Sequence, residues 1–143
     1  MLNVTKMAER LKTETAWQKT PVDLEQSDYE EMIVNGLRRM YIDTGRATEY
    51  DSALLITNEE NGDVVYNLDS DLPIDEEEYI FIAAKINFYR QVANDVNNIV
   101  GYTTNALSVT NADKPYANLK DSIEKLDNER RILHYKMVRY VML

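Results

Sequence analysis

IDEEEYIFIAAKINFYRQVANDVNNIV, residues 74–100, decides the fold. Its apolar side chains Tyr79, Ile82/Ala83, Ile86, Tyr89, Ala93, Val96 and Val100 recur every three or four residues, the period of a helix with one face in a core. Pro73 and Asp75 mark its start. Glu76, Glu77 and Glu78 suit the first turn, where carboxylates meet the positive end of the helix dipole. Gly101 supplies a stop. A helix of that length spans about 40 Å and needs partners along its whole course.

Downstream, GYTTNALSVTNADKPY at 101–116 breaks the helical period with Thr, Leu and Val between Asn corners. Asp113 is a good N-cap and Pro115 is tolerated in the first turn, so a final helix is expected over 113–141. Its seam is Leu119, Ile123, Leu126, Arg130, Leu133, Met137 and Tyr140, a heptad-like row broken once by Arg130. The two long helices are therefore expected to lie antiparallel. Connections between such neighbours usually take roughly 2–8 residues. The 101–112 stretch exceeds that, which marks it as an extended, projecting β-type loop with a contact role.

Upstream, ALLIT and DVVYNL flank an Asn61-Gly62 turn signal, predicting a β-hairpin over 53–68. A lone hairpin is marginal in water and must pack on a helix or a neighbouring subunit. Before it, a helix over 27–42 carries Tyr29, Met32/Ile33, Leu37 and Met40/Tyr41 on one stripe. Ser27 with Glu30 reads as its capping box, and Gly45 in DTG as its left-handed C-terminal cap. Leu2, Val4, Met7, Leu11 and Trp17 predict an N-terminal amphipathic helix over 2–18, ended by Pro21. The fold class that follows is mainly α: a small, single-domain helical bundle with one hairpin.

The chain has 143 residues, enough to bury a core without covalent staples, and no cysteine. Disulfide scaffolds, thiolate metal sites and cysteine nucleophiles are excluded. No apolar run reaches the roughly 20 residues of a membrane helix, and the start lacks a signal-peptide core. The net charge of −9 is uneven: residues 21–78 carry seventeen acidic side chains against three arginines. So acidic a middle segment disfavours phosphate and keeps the chain dissolved.

Chemistry is scarce. The one histidine, His134, follows seam residue Leu133 and has no nucleophile pattern beside it, so no catalytic residue is assigned. DSDLPIDEEE at 69–78 gathers carboxylates but lacks the central glycine of a calcium loop. It reads as a solvated acidic helix start, with no metal and no cofactor implied. Arg130, Arg131, Lys136 and Arg139 spread around the last helix among Glu124, Asp127 and Glu129, a poor surface for nucleic acid. Protein contact is better supported. Ten tyrosines and six methionines exceed the needs of a small core, and both residue types favour interfaces. The terminal RYVML leaves an apolar tail that either finishes the bundle or docks on a partner.

DTGR at 43–46, IDEEEYIFIAAKINFYRQV at 74–92, VNNIVGYTTNALSVTNADKPY at 96–116 and LDNERRILHYKMVRY at 126–140 together resemble the head–tail connector (adaptor) proteins of tailed bacteriophages. The likeness covers roughly residues 25–143, and the hairpin over 53–68 has no counterpart in it. The resemblance implies a structural virion protein made in the host bacterial cytoplasm and located at the virion neck. Its members form a ring of about twelve subunits, closed by head-to-tail contacts. The ring docks beneath the portal protein, extends the DNA channel without binding DNA specifically, and offers a surface to the next neck or tail protein. On that basis Tyr102, Thr103, Thr104, Leu107, Val109, Tyr116, Arg139, Tyr140, Val141, Met142 and Leu143 are expected to contact partners. Asp69, Asp71, Asp75, Glu76, Glu77 and Glu78 are expected to line the channel. The other reading of the same features is a helical regulatory module that binds one host or phage protein.

Overall fold

Four consecutive side chains, Tyr79, Ile80, Phe81 and Ile82, are buried. At 3.6 residues per turn they point in every direction around the helix, so this segment runs through the middle of the bundle. The computed structural model describes residues 2–46, 54–57, 63–67, 72–103 and 119–142. They form β1 (Leu2–Asn3), α1 (Val4–Glu14), α2 (Gln26–Asp43), β2 (Leu54–Thr57), β3 (Val64–Asn67), α3 (Ile74–Thr103) and α4 (Leu119–Met142). The protein is mainly helical, with α3 packed against α2 on one side and α4 on another, and α1 resting on α2.

Side-chain pairings fix the directions. Tyr29 of α2 stacks on Phe88 of α3, whereas Asp43, at the other end of α2, meets Tyr79. The ring of His134 lies 6.2 Å from that of Tyr79. Asp127, earlier in α4, faces the later part of α3 around Asn87 and Arg90. Rising numbers in α3 therefore match falling numbers in both neighbours, and the long pair is antiparallel as expected. The core is Met32, Ile33, Leu37 and Met40 of α2 against Ile80, Ala84, Phe88 and Val92 of α3, closed by Leu11 and Ala8 from α1 and by Leu119 and Met137 from α4. All of the α2 stripe read from sequence is buried.

α2 and α3 meet at Gly36. A Cβ there would lie 2.5 Å from the carbonyl oxygen of Ile80 and 3.4 Å from the amide nitrogen of Ala84. α2 ends in a Schellman turn: the amide of Arg46 donates to the Tyr41 carbonyl at 2.7 Å and that of Gly45 to Ile42 at 3.1 Å. Gly45 has φ of +73°, the left-handed cap the sequence predicts. The N-terminal cap differs from expectation. Glu25, not Ser27, is the N-cap, and its amide donates to the Asp28 carboxylate at 2.8 Å. The Ser27–Glu30 pair fits the same pattern two residues later, where the chain is already helical.

Three further expectations shift. The N-terminal helix does not cover 2–18. Leu2–Asn3 is a strand, and the helix spans Val4–Glu14. β1 pairs with β3, and β3 pairs with β2, giving an antiparallel sheet of order β1-β3-β2. Leu2 fits a helical stripe and a strand equally well, but Asn3 decides. Its side-chain oxygen caps the Lys6 amide at 2.9 Å, and its nitrogen donates to Asp63 beside β3 at 3.1 Å. The hairpin strands thus gain the helix contact that they require, through α1 and a third strand. Trp17 lies outside the helix, exposed, with its ring 5.9 Å from Tyr89.

Gly101 does not stop α3, which continues to Thr103. A glycine costs a helix about 1 kcal/mol, a penalty that a long packed helix can absorb near its end. The Asn61-Gly62 turn, Asp113, Pro115 and positions 104–112 of the expected projecting loop fall outside the described residues.

Gly36→Ala should separate α2 from α3. Alanine improves intrinsic helix propensity by about 1 kcal/mol, but the obstructing atom belongs to the backbone and cannot rotate away. A net loss of about 1–2 kcal/mol is expected by urea denaturation. A variant as stable as wild type would show that the two helices are not held at this spacing.

Candidate functional site

Arg130, the residue that breaks the α4 seam, is not a flaw in the packing. Its Nη1 lies 3.1 Å from Oδ2 of Asp43 and 2.9 Å from the Tyr79 hydroxyl, and its Nη2 lies 2.9 Å from Asp127. The Tyr79 hydroxyl in turn donates to Asp43. His134, one turn along α4, places Nε2 2.8 Å from the backbone carbonyl of Asp43. A carbonyl only accepts, so Nε2 carries the hydrogen. That bond satisfies one of the last-turn carbonyls that a helix leaves unpaired. The C-terminal end of α2 is thus capped from α4 and bound to the start of α3.

Burial is a strong influence on the ionisation of this junction. It pushes the Tyr79 phenol up to about 12, helped by the hydrogen bond to Asp43. Asp127 is held below the usual carboxylate range, chiefly by its hydrogen bond from Arg130. Each member already has a fixed partner and the histidine is engaged by backbone, so the cluster joins three helices and presents no free nucleophile.

Beside it lies a groove of about 430 Å³ between α2, α3 and α4. Its apolar lining residues are Gly36 and Ile86, both buried, and Ala83. Its rim is the exposed Asn35, Arg39 and Arg90, and the less exposed Asn87, Asp127 and Arg130 complete the lining. Arg130 is compensated by Asp43 and Asp127, and Arg39 lies 3.3 Å from Asp43, so the groove keeps a small positive excess, carried by Arg39 and Arg90, on a chain of net charge −9.

The acidic segment is divided. Glu76 is ion-paired with Arg46, and Glu78 lies 3.5 Å from Arg10. Arg10 also covers the face of Phe81 at 3.8 Å. Glu76 is thus committed to the fold, Glu78 makes an exposed surface pair, and Asp75 and Glu77 face solvent. Asp69 and Asp71 lie outside the described residues, as do Thr104, Leu107, Val109, Tyr116 and Leu143. Tyr102 and Thr103, expected in the loop, are in the last turn of α3; Arg139, Tyr140, Val141 and Met142 are in the last turn of α4. The junction itself was not foreseen. Its signal was a charge on an apolar seam, since a part-buried arginine requires a carboxylate that the fold must deliver.

No metal-ligating cluster occurs among the described residues, and no helix among them is long and apolar enough to cross a membrane. Tyr79→Phe removes the hydroxyl shared by Asp43 and Arg130 and should cost about 1–3 kcal/mol. It should also change the response to base. Folding raises the phenol above its ordinary value of 10.0, so its contribution is complete below pH 10 and is lost as the pH climbs to about 12. Unfolding free energy measured between those limits should fall less steeply in Tyr79→Phe than in wild type. Identical slopes would mean that the hydroxyl is not held as described. Comparison with known proteins gives no relative: no family model, no curated protein and no solved structure matches the chain.

Proposed function

We propose that the chain is a structural subunit of a tailed-phage neck, a head–tail connector that assembles into a ring beneath the portal and presents a surface to the next neck or tail protein. The resemblance of four segments to that family motivates the reading. The observation that carries it is the placement of apolar side chains in water. Ile74 stands exposed at the start of α3, and exposed Trp17 lies beside Tyr89. About 22 Å of the α3 axis separates the two positions. Ile132 and Tyr135, three residues apart and neighbours on one side of α4, add a third exposed apolar position. A subunit closing a ring by head-to-tail contacts needs unlike faces of this kind, whereas a module that binds one protein needs a single patch.

The polar junction favours a structural role over an enzymatic one. His134 and Tyr79, the groups best suited to proton transfer, are engaged in joining helices. An acidic surface around a passage would repel DNA and let it slide.

Light scattering and negative-stain imaging of the purified chain, alone and with portal rings, test this. Rings are expected in at least one condition; a chain that stays monomeric and ignores portal overturns the reading. Leu107→Pro is expected to leave helical circular dichroism unchanged while lowering the assembled fraction. Undiminished assembly would remove the 104–112 stretch from the contact.

A further inference from the structure

The start of α3 and the groove beside Gly36 are chemically complementary. Ile74 is 83% exposed, which is extreme for a large aliphatic side chain, and it follows an exposed proline. Asp75 and Glu77 flank it and face solvent, while Glu76 and Glu78 turn back onto Arg46 and Arg10. The resulting knob is one apolar side chain between two free carboxylates. The groove has complementary groups: Gly36, Ala83 and Ile86 give part of its lining an apolar character, and the exposed Arg39 and Arg90 stand beside them, while Arg130 is already engaged by Asp43, Tyr79 and Asp127. Arg39 is 60% exposed and 3.3 Å from Asp43, a loose pair that leaves its guanidinium accessible to a further carboxylate.

One chain cannot bring the two together. Both are fixed on α3, and Ile74 stands about 19 Å along the axis from the middle of the groove wall at 83–90. A helix does not fold back across that distance. Complementary surfaces held apart on one rigid body can meet only between copies, in a heterologous contact that propagates.

We propose that the groove between α2, α3 and α4 receives the Ile74–Asp75–Glu77 knob of a second copy of this chain, forming the head-to-tail contact of the assembly. Ile74 inserts over Ala83 and Ile86, displacing water from apolar surface, and the two carboxylates meet the guanidiniums of Arg39 and Arg90. The contact deepens the ring-subunit reading and rests on it. Its strength should fall with salt, because the rim charges are exposed.

Two variants at opposite ends of the contact test it by sedimentation velocity. Ile74→Asp destroys the knob at a position too exposed to affect folding; Arg39→Glu with Arg90→Glu destroys the groove. Each alone should weaken self-association about tenfold or more. Mixed in equal amounts, they should form dimers and stop, because one variant keeps an intact knob and the other an intact groove. Arg90→Glu alone, checked for unchanged helical circular dichroism, replaces the double variant if that one fails to fold. Wild-type-sized assemblies from either variant, or a mixture that stays monomeric, overturn the proposal. Rings that still form on portal in that case leave the connector reading standing; a wild-type chain that neither self-associates nor binds portal sinks both. Inorganic phosphate that binds the monomeric groove while wild-type chains remain apart would identify a small-anion site instead.

Discussion

The backbone of α2 at Gly36 passes so close to the carbonyl of Ile80 that no side chain fits between them, and the spacing of α2 and α3 follows from that approach. With no side chain between them, the two helices come near enough for Ile33, Leu37 and Met40 to interlock with Ile80, Ala84 and Phe88. The same approach sets where α2 ends. Asp43 arrives beside Tyr79 at the start of α3, within reach of Arg130 on α4. A wider crossing would leave part-buried charges without partners, which costs far more than the loss of a few dispersion contacts. The apolar packing and the polar junction are therefore two consequences of one geometric constraint.

The junction gives the packing a register. Apolar side chains of similar size tolerate sliding by a turn; a guanidinium that must meet two carboxylates and a phenol does not. Arg130 engages α2, α3 and its own helix at once, and His134 closes the carbonyl end of α2. Polar groups thus specify which helix end lies against which, while the hydrophobic stripes supply most of the favourable free energy. At the other side of the bundle, Glu14 lies 3.0 Å from Lys85 and joins α1 to α3. That pair is more open to solvent, and exposed pairs of this kind are worth about 0–1 kcal/mol.

Most of the helical architecture was legible in the sequence because amphipathic periodicity reports burial directly. The α2 stripe, the Gly45 cap and the α4 seam at Leu119 and Met137 all correspond to what is observed. The one-sided stripe assigned to residues 74–100 was too narrow, since Ile80 and Phe81 are as buried as Tyr79. A periodicity argument looks for a polar face, and a central helix has little of one. β1 was hidden for a different reason. A two-residue strand carries no periodic signal, and its identity rests on Asp63 and β3, some 60 positions away. The junction was hidden likewise. Asp43 read as part of a turn, Tyr79 as core and Arg130 as an interruption, and only three-dimensional proximity makes them one feature.

The resemblance to connector proteins implies a channel-lining role for the carboxylates at the start of α3. These residues do different things. Glu76 holds Arg46 within the fold, and Glu78 pairs with Arg10 at the surface. Asp75 and Glu77 point away, and what lies between them distinguishes a lumen from a contact. A channel wall over which DNA slides gains from charge and gains nothing from an isoleucine in water. An interface gains from both: charge selects the partner and orients it, and the buried aliphatic group supplies affinity that does not vanish in salt. Ile74 therefore argues for a contact at this end of α3. A channel wall and the proposed knob are alternative uses of Asp75 and Glu77, and the exposed isoleucine beside them favours the second.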